Sequence, residues 1–181
     1  MAIHGTSVGP DVRGPERRCV SILRLEFAGL PELAESLDPD QVAALVEGLL
    51  ELVTEPISHT DGVLLSHPQA GVVAIWNTPI REQSNHAQLA LAAGRAAMAA
   101  GSAGGRPSGL SPRAAVVTGE AVVGNFGSRH RRAYAAIGTL VSLANHSCSR
   151  SSDGALMVSS RTLTEAGEPR ASEGEFVEER F

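Results

Sequence analysis

The fold of this chain is decided by the stretch Thr118-Gly-Glu-Ala-Val-Val-Gly-Asn-Phe-Gly127, which is followed by Tyr134 and Ile137-Gly138. Apolar and β-branched residues on both sides of Gly119-Glu120 predict two strands, over 113–118 and 121–125, with a tight turn between them. Consecutive short strands joined by short connections are typical of antiparallel pairing. Working outward from this stretch, we expect a sheet with further strands and helices on either side.

Asp38-Pro39 is typical of a helix start, because Asp caps the first turn and Pro fits its first position. This helix is predicted to end near Pro56. The other predicted elements are strands 19–27, 63–65, 72–76, 133–137 and 155–159, a short helix from Pro31, and helices 82–100, 140–148 and 161–165. The Ala-rich helix 82–100 either packs closely on the sheet or binds a partner. The order β-α-α-β-β-α-β-β-β-α-β-α predicts an α+β domain with helices on a mostly antiparallel sheet.

At 181 residues the chain is long enough for one domain with a full core. We predict a flexible arm over 1–17, the domain over 18–166 and an acidic, irregular tail over 167–181. The first 18 residues lack the apolar core of a secretory signal. No run approaches the roughly 20 apolar residues of a membrane span, so we expect a cytoplasmic protein with no membrane segment within this chain. Whether the chain is a piece of a longer protein stays open.

The composition excludes several kinds of chemistry. All 15 basic residues are Arg, which excludes Schiff-base and P-loop lysines. The formal net charge of −5 argues against a nucleic-acid partner, because binding a phosphate backbone needs clustered basic residues. Cys19 and Cys148 are expected to be free thiols, and His59 and His67 lack further zinc ligands at useful spacing. Residues 129–132 (Arg-His-Arg-Arg) either bind phosphate or an acidic partner or form a solvated turn.

Residues 18–160 resemble the class III nucleotide cyclase homology domain, whose members form cyclic AMP or cyclic GMP. The resemblance rests on the stretch 118–127 and on its spacing to Tyr134, Ile137, Gly138, Val141, Leu143 and Ala144. The Leu37-Asp-Pro39 helix start, Asp61-Gly62 and Asn85-His86-Ala87 follow in the order of the family. The resemblance implies a ferredoxin-like core with a mostly antiparallel sheet.

Members of this family hold two magnesium ions on two Asp residues, and the resemblance places these positions at Glu26 and Ala70. A glutamate moves its carboxylate outward by about one methylene, which disturbs the near-ideal geometry that magnesium demands. An alanine side chain cannot bind metal. Glu26 is thus a weak candidate for one metal ion, and the alternative is a strand-end carboxylate that is solvated or paired with an Arg. We expect no cofactor, with Mg²⁺ or Mn²⁺ required for any activity that remains.

The other family positions also carry changed chemistry. The base-reading residues fall on Ser66, which is a weak candidate for one hydrogen bond, and on Ala135, which offers none. The Asn and Arg that stabilise the transition state align with Ser142 and His146, and a histidine is a poor substitute for a permanent, forked guanidinium. The chain also stops before the hairpin in which the family places a triphosphate-binding lysine.

Cyclase sites of this family form between two chains, one of which supplies the carboxylates and the other the Asn and Arg. Since both sets are altered here, the chain is expected to complete neither site. The resemblance then implies a catalytically inactive domain that dimerises with itself or with another cyclase-type domain in a regulatory role. The alternatives are a divergent adenylate or guanylate cyclase that uses Glu26, and a sensor that binds ATP or GTP without turnover. The sequence selects neither nucleotide.

Overall fold

The computed structural model describes residues 14–66, 71–103, 107, 109–169 and 176–181. Within these residues the chain forms an α+β domain, as predicted, with seven strands in one sheet and five helices. The elements are β1 (Glu16–Ala28), α1 (Leu30–Ala34), α2 (Pro39–His59), β2 (Val63–Ser66), β3 (Val72–Trp76), α3 (His86–Ser102), β4 (Ser111–Gly127), β5 (Arg132–Ile137), α4 (Thr139–Arg150), β6 (Ala155–Ser159), α5 (Ser160–Ala166) and β7 (Phe176–Arg180).

The centre of the sheet is the antiparallel pair of β1 and β4. The pairing extends over all 13 residues of β1, from Glu16 opposite Val123 to Ala28 opposite Ser111. The strand order is β2-β3-β1-β4-β6-β7, and β5 pairs with the second half of β4. The pairing of β4 with β6 is parallel and all the others are antiparallel, so the prediction of a mostly antiparallel sheet is confirmed.

The tight turn predicted at Gly119-Glu120 is wrong, because β4 continues without interruption from Ser111 to Gly127. Gly119 and Glu120 lie opposite Val20 and Cys19 of β1, so the long partner strand keeps this segment extended. Gly119 has a packing role instead. A side chain there would come within 3.1 Å of the Leu140 side chain of α4, so the glycine lets that helix approach the sheet.

The two faces of the sheet carry different helices. On one face, apolar residues of β1, β3, β4 and β6 pack against α2, α3 and α5. The other face, here called the α4 face, carries α4, and its buried residues are Val20, Ile22, Ile75, Val117, Ala121, Val123, Leu140 and Ala144. Side chains alternate along a strand, so Arg24 and Glu26 lie on the same face as Ile22.

Helix α2 begins where predicted but continues past Pro56 to His59. At its start, the backbone N–H of Asp38 donates a hydrogen bond to the Gln41 side chain at 3.1 Å. An internal proline costs a helix about 3 kcal/mol. Val53 and Ile57, on either side of Pro56, are completely buried. Their packing outweighs that cost, and the predicted end near Pro56 is wrong for this reason.

The tail that we predicted to be irregular over 167–181 contains β7, which pairs antiparallel with β6. Arg95 of α3 holds this acidic segment, because its guanidinium donates to Glu168 at 2.6 and 2.7 Å and to Glu179 at 2.7 and 2.9 Å. The same contact holds the pKa of the Glu168 carboxyl below its usual value. Two acidic residues of this segment are thus bound by a basic residue that is distant in the sequence. The prediction that the segment has no regular structure is wrong for residues 176–180, which form β7.

At the other end of the chain, β1 begins at Glu16. Glu16 and Arg17, which we predicted to belong to the flexible arm, are therefore part of the sheet. Gly14 and Pro15 of that predicted arm are described and irregular, and residues 1–13 lie outside the described residues. Among the described helices, none combines the length and apolar character needed to cross a lipid bilayer.

Helix α3 packs closely on the sheet through its small residues, which include Ala90, Ala93, Gly94 and Ala97. A Cβ at Gly94 would lie 2.9 Å from a methyl carbon of Val116, whereas a Cβ at Gly48 of α2 meets nothing within 4 Å. Alanine favours a helix over glycine by about 1 kcal/mol, but overpacking a core costs about 1–3 kcal/mol.

We therefore expect the same change, Gly to Ala, to have different effects at the two positions. Gly48→Ala should raise the free energy of unfolding by about 0.5–1 kcal/mol, and Gly94→Ala should leave it about 1–3 kcal/mol below that of Gly48→Ala. Urea denaturation followed by circular dichroism measures both values. Equal stabilisation by the two variants would contradict the close approach of α3 to β4.

Candidate functional site

The predicted metal position, Glu26, lies near the end of β1 directly opposite Arg113 of β4. Arg113 donates through Nε to Glu26 Oε1 at 2.8 Å, and its Nη2 lies 2.7 Å from the same oxygen. Arg24 donates through Nη2 to the second oxygen, Oε2, at 2.9 Å. Both carboxylate oxygens are therefore bound by guanidinium groups, in an arrangement we call the Arg24–Glu26–Arg113 triad.

The local sequence explains why these three side chains meet. Arg24 and Glu26 are two residues apart on one strand, so they project from the same face. Arg113 follows from the antiparallel register, since residues directly opposite each other place their side chains within reach of an ion pair. The three side chains are 11%, 23% and 28% exposed, so the triad is largely shielded from solvent.

Arg24 is held at the start of β3. Its Nη1 donates to the backbone oxygens of Leu25 at 2.7 Å and Val72 at 3.4 Å. A Cβ at Gly71 would collide with this guanidinium and with the Leu25 carbonyl, so the glycine provides the space for Arg24. The permanent positive charge of Arg24 thus lies against Gly71 and the start of β3.

A cleft of about 720 Å³ opens beside the triad, between the end of β1, α1 and the start of α2, with Arg113 and Asp153 in its wall. Cys148 of α4 packs behind Arg113 and donates from its thiol to the Arg113 carbonyl at 3.4 Å. Burial, together with the nearby Glu26 carboxylate, raises the pKa of the Cys148 thiol to about 12. Cys148 is thus a structural thiol under the cleft, and both cysteines are free, as predicted.

These residues do not fit the magnesium ions that the resemblance implies. Magnesium binds to hard, anionic oxygen atoms with open lone pairs. The two oxygens of Glu26 already accept hydrogen bonds from Arg24 and Arg113, and the two guanidinium charges exceed the charge of one carboxylate. Ala70, at the second metal position, lies outside the described residues, and its side chain has no ligand atom.

The base-reading positions lie on two different strands. Ser66 ends β2, with its backbone paired to Val73, and its side chain lies outside the described residues. Ala135 lies in β5, opposite Gly124 of β4, and its methyl group offers no hydrogen bond. Ala135 does not line the cleft beside the triad.

The predicted transition-state positions, Ser142 and His146, lie one turn apart on α4, and both are exposed. Their spacing puts them on one stripe of the helix. They do not contribute to the cleft beside Glu26. Ser142 and His146 are thus on the surface of α4 and are not part of the wall of the cleft beside Glu26.

Sequence reasoning missed Arg24 and Arg113, the residues that decide the chemistry at Glu26. A signal for Arg24 was present, because it is a charged residue inside the apolar run Val-Ser-Ile-Leu-Arg-Leu-Glu-Phe and two positions before Glu26. Arg113 gave no local signal. Its contact with Glu26 depends on the register between strands that are 87 residues apart.

Comparison with known proteins places this geometry in context. No protein-family model matches the chain. Over 138 residues the chain is 28% identical to adenylate cyclase 1 of Rhizobium meliloti (strain 1021), an alignment that covers 74% of this chain and 21% of that protein. The chain therefore spans about a fifth of the length of this curated relative.

Two solved structures share the fold. The guanylyl cyclase Cya2 is 27% identical with a TM-score of 0.79, over 90% of this chain and 85% of that one. The adenylyl cyclase CyaB from P. aeruginosa is 23% identical with a TM-score of 0.79, over 86% of this chain and 83% of that one. The resemblance inferred from the sequence is thereby confirmed: this chain is similar to class III adenylyl and guanylyl cyclase domains and has their fold.

Proposed function

We propose that this cyclase homology domain is catalytically inactive and acts as a dimerisation or regulatory module. The observation that carries the proposal is the Arg24–Glu26–Arg113 triad, in which both oxygens of Glu26 are bound by guanidinium groups. A cation at Glu26 would have to displace both arginines and approach their positive charges. No magnesium-bound step is therefore assigned to this chain.

The second half of a composite site supports the same proposal. A phosphoryl transition state is stabilised mainly by fixed positive charge and oriented donors. His146 is exposed, in a position where the family has an Arg, and Ser142 replaces an Asn that orients the ribose. A partner chain with intact metal-binding carboxylates would receive neither the Asn nor the Arg of the family from this domain. Pairing with such a chain would therefore not restore a complete active site.

Dimerisation is supported by the α4 face. Around its buried centre the α4 face carries half-buried apolar residues of three strands, which include Val63, Leu65, Val73 and Ala136. Apolar surface of this kind next to a covered core is typical of an interface. We propose that a second copy of this chain, or another cyclase-type domain, covers it.

The second candidate function is a divergent adenylate or guanylate cyclase. The position of Glu26 at the wall of a cleft favours it, and so do the likenesses to proteins named as adenylate and guanylyl cyclases. In this alternative Glu26 would leave the triad to hold Mg²⁺ or Mn²⁺. The two candidates differ in whether turnover depends on the Glu26 carboxylate.

We expect the purified chain to form no cyclic AMP from ATP and no cyclic GMP from GTP, with either Mg²⁺ or Mn²⁺, because Glu26 and Ala70 provide no metal site. Product is measured by chromatography, beside an active cyclase as a positive control and Glu26→Ala as a matched negative. Product that is present in the wild type and absent in Glu26→Ala would overturn this proposal and establish the divergent cyclase.

The role of Glu26 as a structural ion-pair centre predicts a loss of stability when it is removed. Glu26→Ala leaves two largely shielded guanidinium groups without their carboxylate, and we expect a loss of about 2–3 kcal/mol in the free energy of unfolding. The control is Glu120→Ala, which removes a pair with Arg17 whose side chains are 74% and 63% exposed. That change should stay below about 1 kcal/mol. Equal effects in urea denaturation would count against the triad.

The proposed dimer predicts a sedimentation mass near twice the 18.8 kDa of one chain. Val63→Glu places a charge on the α4 face and should give monomers. Leu52→Glu places the same charge on exposed surface of α2, beyond the opposite face, and should leave the dimer intact. Analytical ultracentrifugation measures all three proteins, with circular dichroism to check folding. A monomeric wild type, even with a cyclase-type partner added, would argue strongly against a dimerisation module.

A further inference from the structure

We propose that Cys19, His86 and Glu165 form a binding site for a transition-metal ion of the zinc class, with solvent as the fourth ligand. The three residues come from β1, the start of α3 and the end of α5. The Cys19 sulfur, one His86 ring nitrogen and a Glu165 oxygen all lie within 4.8 Å of one another. This cluster is separate from the triad, since Cys19 and Glu26 are seven residues apart on β1, or about 23 Å.

The distances are close to those that tetrahedral zinc requires. The Cys19 sulfur lies 3.9 Å from each Glu165 oxygen, and His86 Nε2 lies 3.7 Å from Glu165 Oε2. Zinc bonds of about 2.0–2.3 Å at tetrahedral angles put neighbouring ligand atoms about 3.3–3.6 Å apart. The two distances to Glu165 need shifts of a few tenths of an ångström, and the Cys19–His86 separation, which is within 4.8 Å, is closed by side-chain rotation of about 1 Å.

Buried hydroxyl groups contact His86 Nδ1, the ring nitrogen that faces away from the cluster. In the proton arrangement that metal binding requires, Nδ1 donates to Ser21 Oγ at 2.9 Å and Ser21 donates to Thr118 across 2.7 Å. Thr118 then donates to Thr162 across 3.0 Å. Thr162 has two acceptors within reach, the Val116 carbonyl at 3.3 Å and Ser159 Oγ at 2.8 Å, so the network accommodates this arrangement.

In that tautomer His86 Nε2 presents a lone pair to the cluster, 3.7 Å from Glu165 Oε2. Two facing acceptors need a cation or a proton between them, so a bound metal ion takes the place that a proton on Nε2 holds in the metal-free protein. A histidine whose other nitrogen donates to a fixed partner is also the usual form of a metal-binding histidine. The hydroxyl chain thus orients His86 as a ligand.

In the metal-free protein, the guanidinium of Arg161 places a positive charge beside Cys19 and Glu165. Its Nη2 donates to the Cys19 sulfur at 3.2 Å and its Nε donates to Glu165 Oε1 at 2.8 Å. The Arg161 side chain is 53% exposed, so it can turn into solvent when a metal ion takes its place. Arg161 is then a competitor of the metal ion.

The ligand types select the class of ion. Thiolate with imidazole and carboxylate suits Zn²⁺ or Co²⁺, whereas Mg²⁺ and Ca²⁺ prefer a shell of oxygens. Binding exchanges a sulfur–proton bond for a sulfur–metal bond and releases that proton to solvent. The half-buried Cys19 and the 30% exposed Glu165 side chain leave the cluster within reach of an ion from solution.

The test is titration of the chelator-treated, tag-free chain with Co²⁺, followed by the near-ultraviolet charge-transfer band of a cobalt–thiolate bond. We expect one Co²⁺ per chain and displacement of the band by Zn²⁺. Cys19→Ser should remove the band and weaken Zn²⁺ binding about 100-fold or more, because it removes a ligand. Ser21→Ala should weaken binding about 10–100-fold with the band retained, since Ser21 orients His86.

Arg161→Gln provides a control in which the affinity for Zn²⁺ should increase. Removing the competing charge should tighten Zn²⁺ binding about tenfold, and bound Zn²⁺ should raise the melting temperature of wild type more than that of Cys19→Ser. The proposal is overturned if wild type gives no thiolate band with Co²⁺, if the band persists in Cys19→Ser, or if Arg161→Gln binds Zn²⁺ no more tightly than wild type. Circular dichroism of each variant confirms that loss of binding is not loss of folding.

Discussion

The antiparallel pairing of β1 with β4 is the constraint on which the rest of the structure depends. It holds all 13 residues of β1 in one register, from Glu16 opposite Val123 to Ala28 opposite Ser111. β1 occupies one edge of β4 from Ser111 to Val123, and the other edge is divided between β6 and β5. The layers follow from this pair, because alternate side chains of β1 and β4 face α4 or the opposite set of helices.

The same register also determines the chemistry at Glu26. It sets Arg113 directly opposite that carboxylate, while the two-residue period of β1 adds Arg24 from the same face. A carboxylate bound on both oxygens by guanidinium groups stabilises the end of the sheet and is unavailable as an open metal ligand. The pairing of β1 with β4 therefore gives the chain its cyclase-like sheet and also places Arg113 on Glu26, the contact that argues against cyclase chemistry.

Most helices and strands could be predicted from local pattern, and the errors share a physical cause. Gly119 was assigned to a turn because the contact with Leu140 that accounts for this glycine is distant in sequence. Pro56 was taken as a helix end because the burial of Val53 and Ile57 is set by packing. The acidic tail was predicted to be irregular because its basic partner, Arg95, lies on another helix. In each case a long-range contact outweighs a local preference.

The sequence by itself determined the α+β class, the likeness to cyclase homology domains, and the absence of ligand atoms in the side chains of Ala70 and Ala135. These properties depend on residue identity and on short-range periodicity, which a linear chain displays directly. The tertiary structure alone decided that Glu26 is bound by two arginines and that Cys19, His86 and Glu165 lie together. Glu26 and Arg113 are 87 residues apart and Cys19 and Glu165 are 146 apart, so these contacts depend on strand register and helix docking, which no local segment encodes.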